Sequence, residues 1–172
     1  MIARLKTIGK SAEEILSLLQ ETLAQWLPTQ DATSIDLETS GLGYAEWLNP
    51  VLTAPDGTRT RIRDPFGIGS ATMNLRRAMA DPERGAWTWA HLWMDADELV
   101  LHAEFDWMRE PLFEDGTQPP SDYGCAMELE LFPRAEEFVP AWLAEGARHH
   151  RLTVPGVDVD VLGLLDRGFP GA

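Results

Sequence analysis

Two consecutive runs of residues, 86–94 and 98–107, constrain the fold more than any other part of the chain. In the second run apolar side chains occupy every other position, which predicts a β-strand with one buried face and one solvated face. The first run is apolar at almost every position and leads into the compact acidic turn 95–97. Two such runs joined by so short a turn predict an antiparallel hairpin.

The segment 11–27 contains the clearest helix pattern. Ser11 and Glu14 have the spacing of a capping box at a helix N-terminus, and apolar residues then recur on one stripe. Pro28 predicts the end of the helix, because proline cannot continue the hydrogen-bonded backbone. The stripe must pack against another element, since an isolated helix of this length is marginal in water.

The other elements are predicted from shorter patterns. Strand patterns occupy 33–39, 43–49 and 58–63, with a turn at 55–57. Helix patterns occupy 70–80, 121–131 and 140–145, the last ending at Gly146. Together they predict an α+β fold, in which the N-terminal helix and further helices pack on one face of a meandering antiparallel sheet. The domain is expected to span 1–146, followed by a C-terminal tail, 147–172.

The charge is strongly acidic and unevenly distributed. The chain has 28 acidic and 14 basic residues, a net charge of −14, and residues 95–145 contain 14 of the acids but two bases. A field of this sign repels nucleic acid and anionic membranes, and it attracts basic proteins. Solubility alone explains the acidity equally well.

Cysteine usage and hydropathy fit a cytoplasmic protein, and a protein secreted by another route stays open as an alternative. Cys125 is the only cysteine, so an intramolecular disulfide and a cysteine metal cluster are excluded, and the residue is predicted to be a small core side chain. No apolar run approaches the ~18 residues of a membrane span, and no signal-peptide pattern occurs at the N-terminus.

The strongest candidates for a metal-binding or catalytic site are His102, Glu104 and Asp106. They share the solvated face of the second run at a spacing of two, and a mononuclear metal could use such a set. Polar residues belong on that face in any case, and no further ligand converges from elsewhere in the sequence. We expect no bound metal, no cofactor and no catalytic residue, and a metal-dependent enzyme using these three residues stays open as an alternative.

Tryptophans and acids meet in the predicted hairpin. One face of the first run contains three tryptophans together with His91: Trp87, Trp89 and Trp93. Such a stripe is either part of the core or, beside acidic residues, an anchor for a partner. The residues predicted to contact a partner are Asp95, Asp97, Glu98, Glu104, Asp106, Trp89 and Trp93. A homo-oligomeric structural protein that uses the stripe as a symmetric interface, such as a homodimer, is a second alternative.

The order of these elements resembles the YezG-like immunity proteins of bacterial polymorphic toxin systems. The features that match are the N-terminal amphipathic helix, the turn 54–57 between strands, the tryptophan-opened run 87–94 and the aspartate–aromatic pair Asp106-Trp107. The segments 130–134 and 140–143 also look like the ends of bacterial toxin-immunity proteins.

The resemblance covers residues 11–143 and departs from the family at two points. The turn 95–98 has no glycine where the family usually has one, and the tail after Gly146 is extra. The resemblance implies a cytoplasmic protein that binds and neutralises a cognate toxin, often a nuclease, and it implies no catalytic residues.

Overall fold

A computed structural model describes residues 4–153 as four α-helices and a five-stranded antiparallel sheet. In chain order the elements are α1 (Ala12–Trp26), β1 (Ser34–Leu42), β2 (Ala45–Thr53), β3 (Arg59–Arg61), α2 (Ile68–Ala78), β4 (Trp89–Asp95), β5 (His102–Asp106), α3 (Asp122–Leu131) and α4 (Ala141–Thr153). Short 3-10 turns lie at Leu27–Thr29 and Glu136–Phe138. The predicted α+β class is confirmed.

The strands lie in the order β3-β2-β1-β4-β5, and every neighbouring pair is antiparallel. Leu42 lies opposite Ala45, so the two residues Gly43 and Tyr44 make the turn between β1 and β2. After β3 the chain passes through α2 and returns beside β1. The sheet is therefore a three-stranded meander joined to a hairpin, rather than one continuous meander, and β1 is its central strand.

The helices belong to two hydrophobic clusters. Buried side chains of α1 and α2, such as Leu19 and Leu75, pack with Leu37 of β1 and Leu92 of β4. Burying each such side chain contributes roughly 1.5–3 kcal/mol. A second cluster joins α3 and α4 to Leu42 at the end of β1. The predicted capping box of α1 is present, with Ser11 and Glu14 each accepting from the other's backbone N–H.

The first strand of the hairpin begins at Trp89 rather than at residue 86, because buried arginines take the preceding carbonyl groups. Arg76 Nε donates to the Trp87 carbonyl at 2.7 Å, and Arg134 Nη2 donates to the Ala86 carbonyl at 2.6 Å. Trp87 itself is 1 % exposed and lies in the core. Its predicted place on one stripe with Trp89 is therefore wrong.

The second strand begins at His102 rather than at residue 98. Leu99 has a left-handed backbone with φ of 54°, which a strand does not accommodate. The Gln20 side chain of α1 then donates to the Leu99 carbonyl and accepts from the Leu101 N–H. The segment before His102 is thereby tied to a helix instead of to β4.

The predicted end of the last helix at Gly146 is wrong, because α4 continues to Thr153. A Cβ at Gly146 would lie 2.5 Å from Cys125 Sγ, so the glycine is needed where α4 approaches α3. Residues 147–153 thus belong to the helix rather than to a tail. The remainder of the predicted tail, 154–172, lies outside the described residues.

An ion triad fixes the sheet to α2 and α3. The Glu128 carboxylate accepts from Arg76 Nη2 at 2.6 Å and from Arg134 Nη2 at 3.0 Å, and all three side chains are 0–2 % exposed. The Gly43 N–H also donates to Glu128 at 2.7 Å, which holds the β1–β2 turn. Burial lowers the pKa of Arg134, and the adjacent carboxylate opposes that shift.

Candidate protein-binding face

A row of aromatic and imidazole rings crosses the side of the sheet that faces away from α1. Trp89, His91 and Trp93 alternate in β4 with the buried residues of the core, and all three are half-buried. The His91 and Trp93 rings stack with centroids 4.8 Å apart. Trp93 stacks in turn on His102 of β5, its cross-strand partner, at 5.1 Å.

The ring row continues to a cation at one end. The Arg109 guanidinium lies 4.1 Å from the centre of the Trp89 ring, a distance at which a cation is attracted to the ring face. The ring centroids of Trp89 and His91 are 6.3 Å apart, and the two ring planes are tilted by 41°. The complete row is therefore Arg109, Trp89, His91, Trp93 and His102, and this set is called the ring row below.

Two carboxylates of the central strand hold the ring row in place. Glu38 accepts from Trp89 Nε1 at 2.8 Å, and Asp36 Oδ1 lies 2.9 Å from His91 Nε2. Arg59 approaches Asp36 at 3.7 Å from the edge strand β3. These partners orient the rings before any other molecule binds, which reduces the entropy lost on association.

A shallow depression of about 270 Å³ opens beside the ring row. Its lining includes both carboxylates, Asp36 and Glu38, together with Asn49, Val51 and Trp89. Carboxylates, an amide, an aliphatic side chain and an indole in one open depression suit a mixed polar and apolar protein surface better than a small enclosed ligand.

The structure brings together only part of the predicted contact set. Trp89, Trp93 and the exposed Glu104 share the face, with Glu104 directly across from His91. Asp95 is the last residue of β4, and the exposed residues Asp97 and Glu98 lie in the turn beyond it.

The Asp106 side chain was predicted to be solvated, but it bonds to the backbone of the following turn. Its carboxylate accepts from the backbone N–H groups of Met108 and Arg109, at 2.8 and 3.0 Å, and the residue is partly buried. The side chain therefore shapes the turn that places Arg109 over Trp89. Glu128 lies in the core ion triad, so the acids of residues 95–145 do not form one surface.

The three residues of the metal alternative have separate tasks. His102 stacks on Trp93 and lies 3.5 Å from Glu98, Glu104 points to solvent, and Asp106 caps a turn. In the part of the chain that the structure describes, no group of three or more His, Cys, Asp or Glu residues is arranged to hold a metal ion. The absence of a resident metal stays a prediction.

Asp36, Glu38 and Arg109 are site residues that were not predicted. The two acids carry a usable signal, because they alternate with Ile35 and Leu37 and so share the outer side of a strand. No sequence signal identifies Arg109, since its position depends on a turn after β5 that only the three-dimensional structure reveals.

Glu46 and Cys125 are two titratable residues outside the ring row. Glu46 borders an open pocket of about 290 Å³ with Trp47 and Phe113, and burial raises the pKa of its carboxyl from 4.5 to about 7. The Cys125 side chain is 2 % exposed, which confirms the prediction of a core residue. Burial raises the pKa of its thiol to about 12, so it is protonated and unreactive at neutral pH.

Comparison with known proteins returns no matching family model, no matching curated protein and no matching solved structure. Among the described residues, no helix combines the length and the apolarity needed to cross a bilayer.

Proposed function

We propose that this protein is a cytoplasmic immunity protein that binds and neutralises a bacterial toxin domain, and that the toxin contacts the ring row. The observation that carries the proposal is the row itself: stacked, pre-oriented and half-exposed rings on one face of the sheet, beside carboxylates. Tryptophan and arginine are the residues most often found at the energetic centre of protein interfaces. The resemblance to YezG-like immunity proteins supplies the toxin as the partner.

The charge supports a basic partner. A net charge of −14 accelerates association with a positively charged protein, and a nuclease toxin needs a basic cleft to bind its substrate. The exposed acids at the β4–β5 turn and Glu104 border the ring row, so the attraction is directed toward that face. Affinity would come from the rings, which are partly desolvated already.

The proposal is tested by co-expression with any toxin domain that a neighbouring gene encodes. We expect growth rescue and a stable complex, and we expect Trp93→Ala to weaken the complex by at least about tenfold, because hot-spot tryptophans contribute about 2 kcal/mol or more. Trp93 is half-exposed and outside the core cluster, so the variant should fold.

Tyr44→Ala is the matched control, because Tyr44 is an aromatic residue 66 % exposed in the β1–β2 turn. The control should bind like the wild type. The absence of both growth rescue and a complex would refute the immunity proposal. Rescue with equal binding by the Trp93 variant would instead remove the ring row from the interface.

A further inference from the structure

The two edges of the sheet differ in how they are protected. At the β3 edge the strand has only three residues, and Arg61 forms an ion pair with Asp115 and lies near the Trp47 ring. The Ile62 N–H donates to the Pro50 carbonyl, but Pro50 has no N–H to return, so pairing stops there. Short, charged edge strands of this kind resist pairing with other chains.

Within the described residues, some backbone groups at the β5 edge have no hydrogen-bonding partner. The Gly41 N–H donates to the Thr88 carbonyl and the Ala96 N–H donates to the Thr33 carbonyl. These bonds show which residue pairs of β1 and β4 are hydrogen-bonded. The backbone N–H and C=O groups of the even-numbered residues of β4 therefore point toward β1, and those of the odd-numbered residues point toward β5.

The register of β4 with β5 then identifies the outward groups. Trp89, His91 and Trp93 pair with Asp106, Glu104 and His102. The N–H and C=O groups of Ala103 and Phe105 consequently point away from the sheet. Within residues 4–153 no other backbone or side-chain group bonds to them.

We propose that β5 is a docking edge, at which an extended basic segment of the partner protein adds a sixth strand to the sheet. The inference rests on the proposed function, because the added strand belongs to the bound protein. Ala103 and Phe105 supply the backbone hydrogen bonds, and Glu104 supplies the charge. The edge continues directly into the ring row through His102.

The charges of β5 select the occupant. Glu104 is exposed on the same side as Glu98, which lies 3.5 Å from His102. A lysine or arginine opposite Glu104 forms a favourable cross-strand pair. In a second copy of this chain, the antiparallel register that pairs all five residues of β5 would place Glu104 against Glu104, and like charges directly opposite are destabilising.

The test uses the full chain and a short capped peptide in which lysine alternates with valine. Backbone amide chemical shifts are measured by NMR during titration, and the same peptide with glutamate in place of lysine is the control ligand. We expect the shifts to concentrate at Ala103 and Phe105, and only the lysine peptide to bind. Equal binding of both peptides, or shifts centred on Arg59–Arg61, would overturn the proposal.

Ala103→Pro removes an outward N–H without removing a bond inside the sheet, and it should weaken peptide binding about tenfold or more by deleting one hydrogen bond and blocking the incoming strand. Arg61→Pro is the matched control, because the Arg61 N–H also points outward, from the opposite edge. If Ala103→Pro does not fold, Glu104→Lys replaces it, and this variant should prefer the glutamate peptide. Retained preference for lysine would contradict the docking edge.

Hydrogen exchange of the Ala103 and Phe105 amides separates this inference from the function. Fast exchange in the free chain and protection in the toxin complex are expected. Slow exchange in the free chain would mean that the chain itself or a second copy covers the edge, which overturns the proposal. A toxin complex that depends on Trp93 but leaves both amides unprotected would refute the docking edge alone, whereas no complex at all would refute the immunity function.

Discussion

At the start of β2, Glu46 accepts a hydrogen bond from Thr72 Oγ1 at 2.7 Å while the fold shields its carboxyl from water. Because burial raises its pKa from 4.5 to about 7, the folded protein keeps a proton that the unfolded chain has already released. The contribution of this group to stability is therefore fully present below about pH 4.5 and is lost as the pH rises through about 7.

We expect Glu46→Gln to raise the free energy of unfolding at pH 8 by about 1–2 kcal/mol, a value reduced from the full linkage energy because the group is partly solvated. Glutamine keeps an acceptor for Thr72 but does not ionise. Urea denaturation between pH 5 and 8 measures the effect, and Glu21→Gln on the exposed side of α1 is the control. An unchanged pH dependence in the Glu46 variant would contradict the assignment.

Glu128 is a buried acid held by two cationic partners. Glu128→Gln leaves Arg76 and Arg134 without a counter-charge, and we expect a loss of about 3–5 kcal/mol in the free energy of unfolding. Glu130→Gln, on an exposed position of the same helix, should change stability by less than about 0.5 kcal/mol. A loss below about 1 kcal/mol for the Glu128 variant in chemical denaturation would show that the triad contributes little.

At the scale of the elements, Gly146 shows how packing changes the meaning of a residue. Alanine is normally favoured over glycine inside a helix by about 1 kcal/mol, yet its Cβ would lie 2.5 Å from Cys125 Sγ. We therefore expect Gly146→Ala to lower stability by about 1–3 kcal/mol, as overpacking does. Thermal unfolding of Gly146→Ala in a Cys125→Ala background checks the cause, since removing Sγ should recover most of the loss.

The elements that were predicted correctly have local causes. The α1 capping box lies within four consecutive residues, and the β5 alternation needs no information from elsewhere in the chain. The boundaries that were wrong depend on distant side chains: Gln20 for the start of β5, and Cys125 for the continuation of α4. Asp36 and Glu38 could have been found from alternation, whereas the position of Arg109 depends on the turn capped by Asp106.

At the scale of the whole molecule, local placement decides which charges can act on a partner. The net charge of −14 includes Glu128, which is paired with arginine in the core, and Asp106, which accepts hydrogen bonds from the backbone of a turn. Glu104 and Glu98 are exposed beside the ring row and keep their fields available. Long-range attraction is thus expected from the whole chain, and orientation of the partner from these few residues.

Reversing one of these charges tests that division. Glu104→Lys should slow association with the toxin by several-fold at low salt while changing dissociation less, because electrostatic steering acts mainly on the association rate. The difference should disappear near 1 M salt, where the screening length is about 3 Å. Glu130→Lys on α3 changes the net charge equally at an exposed position away from the sheet face, so stopped-flow kinetics should show a smaller effect for it. Equal slowing by both variants would mean that net charge alone steers the encounter, and no slowing by either would mean that the partner is not basic.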